Sequence, residues 1–494
     1  MTQLDEFLLI RSRLRCGFSE VRGIFRYEEE YLKRLMQMKR VLLMTAGLLT
    51  LLPMSMDAQV RPGRVIPRFE EAVSAGQAMV SAGYRHTCGL KISGQPFCWG
   101  TNIRGQLGDG TLEEWKAVPS RVRGRGMVRV VSGSQSIGLA MSSVSAGRDH
   151  SCGLARTGEA YCWGSNREAQ LGNGKLDTLS YQREPVRVTG ALTFESISAG
   201  GYHTCALTAA GDAYCWGSNA QGQGGDGALI EEHPYWYQYP DNNRPGPTKV
   251  TGGLAFASIS AGELHTCALT TAGKAYCWGM NVEPRLGIGR PDGQRFRHRS
   301  EPTEVVKDLR FTSISAGGEH TCALTTAGKA YCWGFNRDYQ LGDSTYVTRD
   351  EPVPVSSELT FKTISAGTDH ACAVATDGAV YCWGGNDRGQ IGNGSPRDGY
   401  PYARWDERSV RTPTPVVGLV ERISEETAIG GERGGYAFAR SGALSFVSIS
   451  AGAYYSCGIS TDGGAYCWGQ GEPGQLGHGS RVTMPAPIAV ADWR

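Results

Sequence analysis

From residue 80 to near the C-terminus, short β-rich runs recur in one fixed order. Residues 311–317 (Phe-Thr-Ser-Ile-Ser-Ala-Gly) are short and end in small residues, which predicts a tight inner strand entering a turn. Residues 320–325 and 329–333 alternate apolar and polar positions and are joined through Thr-Ala-Gly, the pattern of a β-hairpin. A variable loop then leads to a Pro-x-x-Val segment such as 352–355. Proline cannot donate to a ladder, so this segment suits an edge strand. No helical period interrupts the repeats. Four strands per unit, repeated radially, predict the blades of a propeller.

Inside each hairpin two cysteines stand ten positions apart. The pairs are Cys88/Cys98, Cys152/Cys162, Cys205/Cys215, Cys267/Cys277, Cys322/Cys332, Cys372/Cys382 and Cys457/Cys467. Successive first cysteines are 64, 53, 62, 55, 50 and 85 residues apart, and periods near 50 mark propellers, solenoids or arrays. Each Cys-Trp-Gly is followed by a glycine-rich turn, as in Gly105-Gln106-Leu107-Gly108 and Gly474-Gln475-Leu476-Gly477. Repeat three departs as Gln223-Gly224-Gly225, and repeat four as Arg285-Leu286-Gly287. The glycines are expected at positive φ, and the leucine is expected to plug the interface between blades.

Together, Ala-Gly-x-x-His, Tyr-x-Trp-Gly, Gly-Gln-Leu-Gly and the Pro-x-x-Val strand resemble the repeat of the regulator-of-chromosome-condensation family, in seven copies over residues 80–490. The resemblance implies an all-β fold, a seven-bladed β-propeller of four-stranded antiparallel blades. The cysteine pair departs from the nuclear members and is similar to secreted bacterial ones. The nuclear members imply guanine-nucleotide exchange on a small GTPase. Secreted propellers of similar build include protein inhibitors of β-lactamases.

Fifteen cysteines divide into seven pairs plus Cys16. With the hairpin centred on Ala272, Cys267 and Cys277 face each other at about 4.5–5.5 Å, within disulfide reach. Disulfides are therefore expected, each adding about 2–3 kcal/mol; reduced core thiols are the alternative. A metal site from His265, Cys267 and Cys277 offers only three ligands, two of them on opposed strands. No metal or other cofactor is expected. Paired cysteines imply an oxidising compartment, and the N-terminal region agrees. Residues 1–37 form a charged extension, 38–58 a signal-peptide layout with an apolar run over 41–52, 59–79 a linker and 80–494 the propeller. The long extension implies a start at Met36 or Met38, without Cys16. Twelve apolar residues are too few to span a bilayer; an uncleaved anchor with a short cytoplasmic tail is the rival layout. The expected location is secreted, periplasmic or cell-surface, with no stable membrane span after cleavage.

A formal net charge of +2 with no basic field argues against nucleic acid as a partner. The chain has no Gly-x-Ser-x-Gly, no His-Glu-x-x-His and no phosphate loop, so no catalytic residue is expected. Six motif histidines, replaced by Tyr455 in repeat seven, recur with the blades, as do the seven tryptophans of Cys-Trp-Gly. Recurrence favours structural roles, namely hydrogen bonds between turns and packing between blades. Asymmetry points elsewhere. Long insertions stand near 231–247, 395–441 and 115–142, and all three are expected between third and fourth strands, crowding one face. Tyr235, Trp236, Tyr237, Tyr239, Tyr400, Tyr402 and Trp405 on them are candidate partner-binding residues. The expected protein is a monomeric, non-enzymatic binding module. Its expected partner is a protein, with a surface glycan or carbohydrate-active role as the alternative.

Overall fold

The computed structural model describes residues 78–124, 140–176, 181–228, 242–289, 298–394, 409–418 and 444–493. These form seven four-stranded antiparallel sheets, each built from strands consecutive in sequence. The fold is a seven-bladed β-propeller, and no α-helix occurs among the described residues. In blade five the strands are Phe311–Ala316, His320–Thr325, Ala330–Gly334 and Arg349–Pro354, running from the channel outwards.

The burial pattern follows from position in the blade. The second strand, such as His320–Thr325, is buried on both faces because a neighbouring blade covers each side. The fourth strand, such as Arg349–Pro354, stays half-exposed as an edge. In every blade the ladder between third and fourth strands slips at the tryptophan of Cys-Trp-Gly. In blade five Cys332 pairs with Val353 and Gly334 with Arg349, so Pro352 falls in the slipped segment and is not asked to donate.

Each hairpin carries its own staple, joining the second strand to the third. Cys88 is bonded to Cys98, Cys152 to Cys162, Cys205 to Cys215 and Cys267 to Cys277. Cys322 is bonded to Cys332, Cys372 to Cys382 and Cys457 to Cys467. The pairing is the one expected from the ten-residue spacing, and reduced core thiols are not what the structure holds. The partners are directly opposed in the register, with Cα atoms 4.0–4.1 Å apart. This is slightly closer than the 4.5–5.5 Å expected from sequence, because each is a non-hydrogen-bonded pair drawn together by its bridge. All fourteen cysteines are fully buried.

Each apolar cluster lies between blades. One joins Cys322, Leu324 and Leu341 of blade five to Phe361, Ile364 and Trp383 of blade six. The last joins Cys457 and Leu476 of blade seven to Val80 and Trp99 of blade one, with Trp493 stacked edge-on against Trp99. The leucine of each glycine turn is thus an interface plug, as expected.

Ring closure is written in Ser-Ala-Gly-x. The alanine N–H of each blade donates to the serine Oγ of the preceding one, and Ala82 closes the ring on Ser450 at 2.9 Å. The N–H of residue x donates to the glycine carbonyl of the following blade at 2.9–3.2 Å, and Ala453 closes that ring on Gly83. A Cβ on these glycines would sit 2.4–2.6 Å from the next blade's carbonyl oxygen. Glycine is required here by close approach rather than by φ.

Two connections correct the sequence reading. Blade one's fourth strand, Trp115–Arg121, begins where an insertion was expected, so segment 125–139 follows that strand. In blade six, strand Ser409–Pro415 divides the expected insertion into 395–408 before it and 419–443 after it. In an up-and-down blade, segments 125–139 and 419–443 therefore leave the face opposite to segments 229–241 and 395–408. The cause is that Pro119 and Pro413, each opening a Pro-x-x-Val, mark edge strands inside stretches that lack any other strand signal.

The channel mouth as candidate interaction site

The repeated polar residues form a structural lattice. In five interfaces the histidine Nε2 lies 2.7–2.9 Å from a Ser or Thr hydroxyl of the following blade. That hydroxyl donates to a backbone carbonyl of the histidine's own blade, as Thr204 does to Gln170 at 3.0 Å. The hydroxyl proton is thereby committed, so the imidazole must be the Nε2–H donor. Burial pushes His86, His150, His203 and His320 down to about 3 and His265 well below its usual range. Six of the seven tryptophans donate Nε1–H to the preceding blade's turn carbonyl, as Trp163 does to Gln106 at 2.9 Å. At the closing interface Tyr455 replaces histidine, and its hydroxyl donates to the His86 carbonyl at 2.6 Å. The expected structural roles of histidine and tryptophan hold.

The paired cysteines belong to the same lattice and not to a site. Cys98, Cys162, Cys215, Cys277, Cys332, Cys382 and Cys467 stand on third strands immediately before the lattice tryptophans. Their partners Cys88, Cys152, Cys205, Cys267, Cys322, Cys372 and Cys457 stand on second strands, two residues after the motif histidine or Tyr455. None of the fourteen lines the channel mouth.

Two links are missing. Blade six carries Ala371 where other blades carry Ser or Thr, and neither ring nitrogen of His320 finds a hydrogen-bond partner. The His370 backbone lies near enough to favour the protonated ring slightly, without a hydrogen bond of normal geometry. Trp333 Nε1 is also unpartnered, at the interface whose turn reads Pro284-Arg285-Leu286, although the Arg285 carbonyl still accepts the Thr321 hydroxyl at 2.9 Å.

Asymmetry appears at residue x after Ser-Ala-Gly and at its neighbour, where the turns between first and second strands ring the central channel. Around the ring, x is Tyr84, Arg148, Gly201, Glu263, Gly318, Thr368 and Ala453. Arg148 reaches over Gly201 to an ion pair with Glu263, two blades on. Its guanidinium also lies 4.4 Å from the Tyr84 ring centre and 5.2 Å from that of Tyr202. Tyr454 packs edge-on against Tyr84 at 6.2 Å. Burial, then Tyr84 and the nearby carboxylates, push the Tyr454 phenol up to about 12. A bridge of large side chains therefore crosses the mouth over blades one to four. Gly318, Thr368 and Ala453 leave the remainder unbridged, and Glu319 and Asp369 follow the first two of these in the chain.

The sequence-derived candidates Tyr235, Trp236, Tyr237, Tyr239, Tyr400, Tyr402 and Trp405 lie outside the described residues. Their segments, 229–241 and 395–408, come between third and fourth strands in the chain. The sequence reading passed over Tyr84, Arg148, Tyr202, Glu263 and Tyr454. The available signal was the pair of turn positions after Ser-Ala-Gly, which vary where the rest of the turn repeats. Among the described residues no group of three or more His, Cys, Asp or Glu is arranged to hold a metal ion.

Residues 47–434 match the family model of the RCC1-like domain. Regulator of chromosome condensation (RCC1) repeats match at 446–475 and 462–492. The probable E3 ubiquitin-protein ligase HERC6 of Homo sapiens is 28% identical over 283 residues, covering 57% of this chain and 26% of that protein. The ultraviolet-B receptor UVR8 of Arabidopsis thaliana is 29% identical over 273 residues, covering 55% of this chain and 56% of the receptor. The chain thus spans only about a quarter to a half of these relatives. Among solved structures, yeast RCC1 (Prp20) bound to Kap60 matches with a TM-score of 0.61 at 20% identity, covering 90% of this chain and 91% of the other. Human WBSCR16 matches with a TM-score of 0.61 at 19% identity, covering 80% and 94%. At these identities the structural likeness establishes the fold.

Proposed function

The chain belongs to the RCC1-like domain family, and on that premise we propose that it is a non-enzymatic, disulfide-stapled module that binds a protein on the face carrying the channel mouth. The observation that carries this reading is the broken symmetry there: Tyr84, Arg148, Glu263 and Thr368 depart from Ala or Gly at the position after Ser-Ala-Gly, and the next position varies between blades, bringing Tyr202 and Tyr454 to the mouth. Packing alone gives such a ring no reason to differ between blades. Tyrosine and arginine are the residue types enriched at protein interfaces. A protein partner also agrees with the yeast relative solved bound to Kap60. The aromatic residues Tyr235, Trp236, Tyr237, Tyr239, Tyr400, Tyr402 and Trp405 are proposed as further contacts. Disulfides in all seven blades point to an oxidising compartment, away from cytosolic GTPases. We therefore propose a secreted, periplasmic or surface location and do not adopt nucleotide exchange.

The test is a photo-crosslinking amino acid placed at Tyr84 or, on the opposite face, at Thr326, in the protein expressed in its native host. A discrete adduct from position 84 and none from 326 is the expected result. Equal adducts from both positions, or none from 84, would sink the assignment.

A further inference from the structure

Resting on that reading, we propose that the unbridged part of the mouth, over Gly318, Thr368 and Ala453, receives a lysine or arginine side chain of the protein partner. Shape is the first argument. The x position holds large or bridging residues over blades one, two and four but Gly318, Thr368 and Ala453 over blades five to seven. The opening is therefore off-centre, bounded on its far side by the Tyr84–Arg148–Glu263 bridge.

Charge is the second. Glu319 and Asp369 follow the lining residues Gly318 and Thr368 directly in the chain, with side chains 44% and 20% exposed. Their local partners leave acceptor capacity. Asp369 accepts from Gln390 Nε2 at 3.3 Å and lies 3.5 Å from His370 Nδ1. Glu319 lies 3.6 Å from a guanidinium nitrogen of the buried Arg285, which donates its stronger bond to the Gly318 carbonyl at 2.9 Å. Arg148 is already committed to Glu263 and to two tyrosine rings, and Arg337 lies over Phe335. Burial, with Asp369, Asp387 and Glu319, lifts the Asp338 carboxyl to about 6. Glu319, Asp369 and Asp387 are thus acidic neighbours of Asp338, with Arg285 the buried cation beside Glu319.

The wall chemistry is the third. Each glycine carbonyl of the inner ring accepts one inter-blade N–H, and a carbonyl oxygen has a second lone pair. An ammonium or guanidinium entering here meets acceptors on the wall and carboxylates at the rim. An anionic group meets neither.

The experiment is fluorescence polarisation of labelled octalysine, octaglutamate and a Gly-Ser octapeptide against the full-length protein at low salt. Three variants accompany the wild type. Thr368→Trp fills the opening without changing charge, at a position whose counterparts hold Tyr84 and Arg148. Glu319→Gln with Asp369→Asn removes the two carboxylates named above. Thr326→Trp is the control on the opposite face. Octalysine is expected to bind alone, to lose tenfold or more with Thr368→Trp and several-fold with the charge pair, and to be unchanged with Thr326→Trp. Octalysine binding that Thr368→Trp leaves intact would overturn the proposal, because general surface charge would explain it. So would the absence of any octalysine binding. Crosslinks from position 84 that persist in either case would leave the protein-binding reading standing, and their loss would remove both.

Discussion

Ala371→Ser should stabilise this propeller, although it places a hydroxyl in a fully buried site. Ala371 is 0% exposed and occupies the position where the other six blades carry Thr87, Ser151, Thr204, Thr266, Thr321 and Ser456. In those blades the hydroxyl donates to a turn carbonyl at 2.8–3.1 Å. A serine in the same rotamer would give the His320 Nε2–H an acceptor and would find its own acceptor in the Gln340 carbonyl, which already receives Trp383 at 3.1 Å. A satisfied buried hydrogen bond contributes about 1 kcal/mol, and relieving a buried unsatisfied donor returns about 1–3 kcal/mol. The nearby His370 backbone already supplies a little of that relief, without a hydrogen bond of normal geometry, so the expected net gain is about 1–2 kcal/mol. At about 2 cal/mol/K of unfolding entropy per residue, a domain of this size would shift its Tm by only a degree or two. Urea unfolding followed by tryptophan fluorescence is therefore the better assay. The comparison is made in wild-type and His320→Ala backgrounds as a double-mutant cycle. The gain should vanish without His320. A destabilised Ala371→Ser protein, or an equal gain in both backgrounds, would refute the lattice as described.

Other outcomes follow from the same interfaces. Five buried histidines have folded pKa values far below the usual 6.5. The unfolded chain then binds protons that the native state refuses. Stability should be complete above about pH 6.5 and fall as pH drops towards 3, by up to about 1.4 kcal/mol per pH unit for each histidine. Asp338, raised to about 6 and partly exposed, opposes this weakly, and urea midpoints that stay flat from pH 7.5 to 5 would contradict the account. Trp383→Phe breaks the bond to Gln340, whereas Trp333→Phe breaks none. The first should cost about 1 kcal/mol more than the second, and equal urea midpoints would argue against it. Gly317→Ala places a Cβ 2.4 Å from the Gly367 carbonyl and should cost about 3 kcal/mol or more, seen as a lost or much earlier transition. Cys267→Ser with Cys277→Ser should cost about 2–3 kcal/mol, while the native protein should show no alkylable thiol among its fourteen paired cysteines until it is denatured and reduced.

Much of this architecture is local and was legible in the chain. Cysteines ten positions apart on one hairpin are opposed by register alone, with no help from distant residues. Recurrence of the phrase identified histidine, tryptophan and the turn leucine as parts of a lattice. The edge strand was legible from Pro-x-x-Val where the loop before it was short. Inside long, compositionally mixed stretches the same signal at Pro119 and Pro413 was passed over, and the insertions were assigned to one face. The mouth was not legible. Tyr84 and Tyr454 are brought to 6.2 Å only when blade seven closes on blade one, and Arg148 meets Glu263 only because Gly201 lets it pass over blade three. Ala371 is unremarkable within its own strand. Its missing hydroxyl matters because His320 belongs to another blade. Sequence by itself determined the blade, since a hairpin and its staple depend on neighbours in the chain. Tertiary structure decided the site, since it is made of the two turn positions that vary between blades, and ring closure alone makes those residues neighbours.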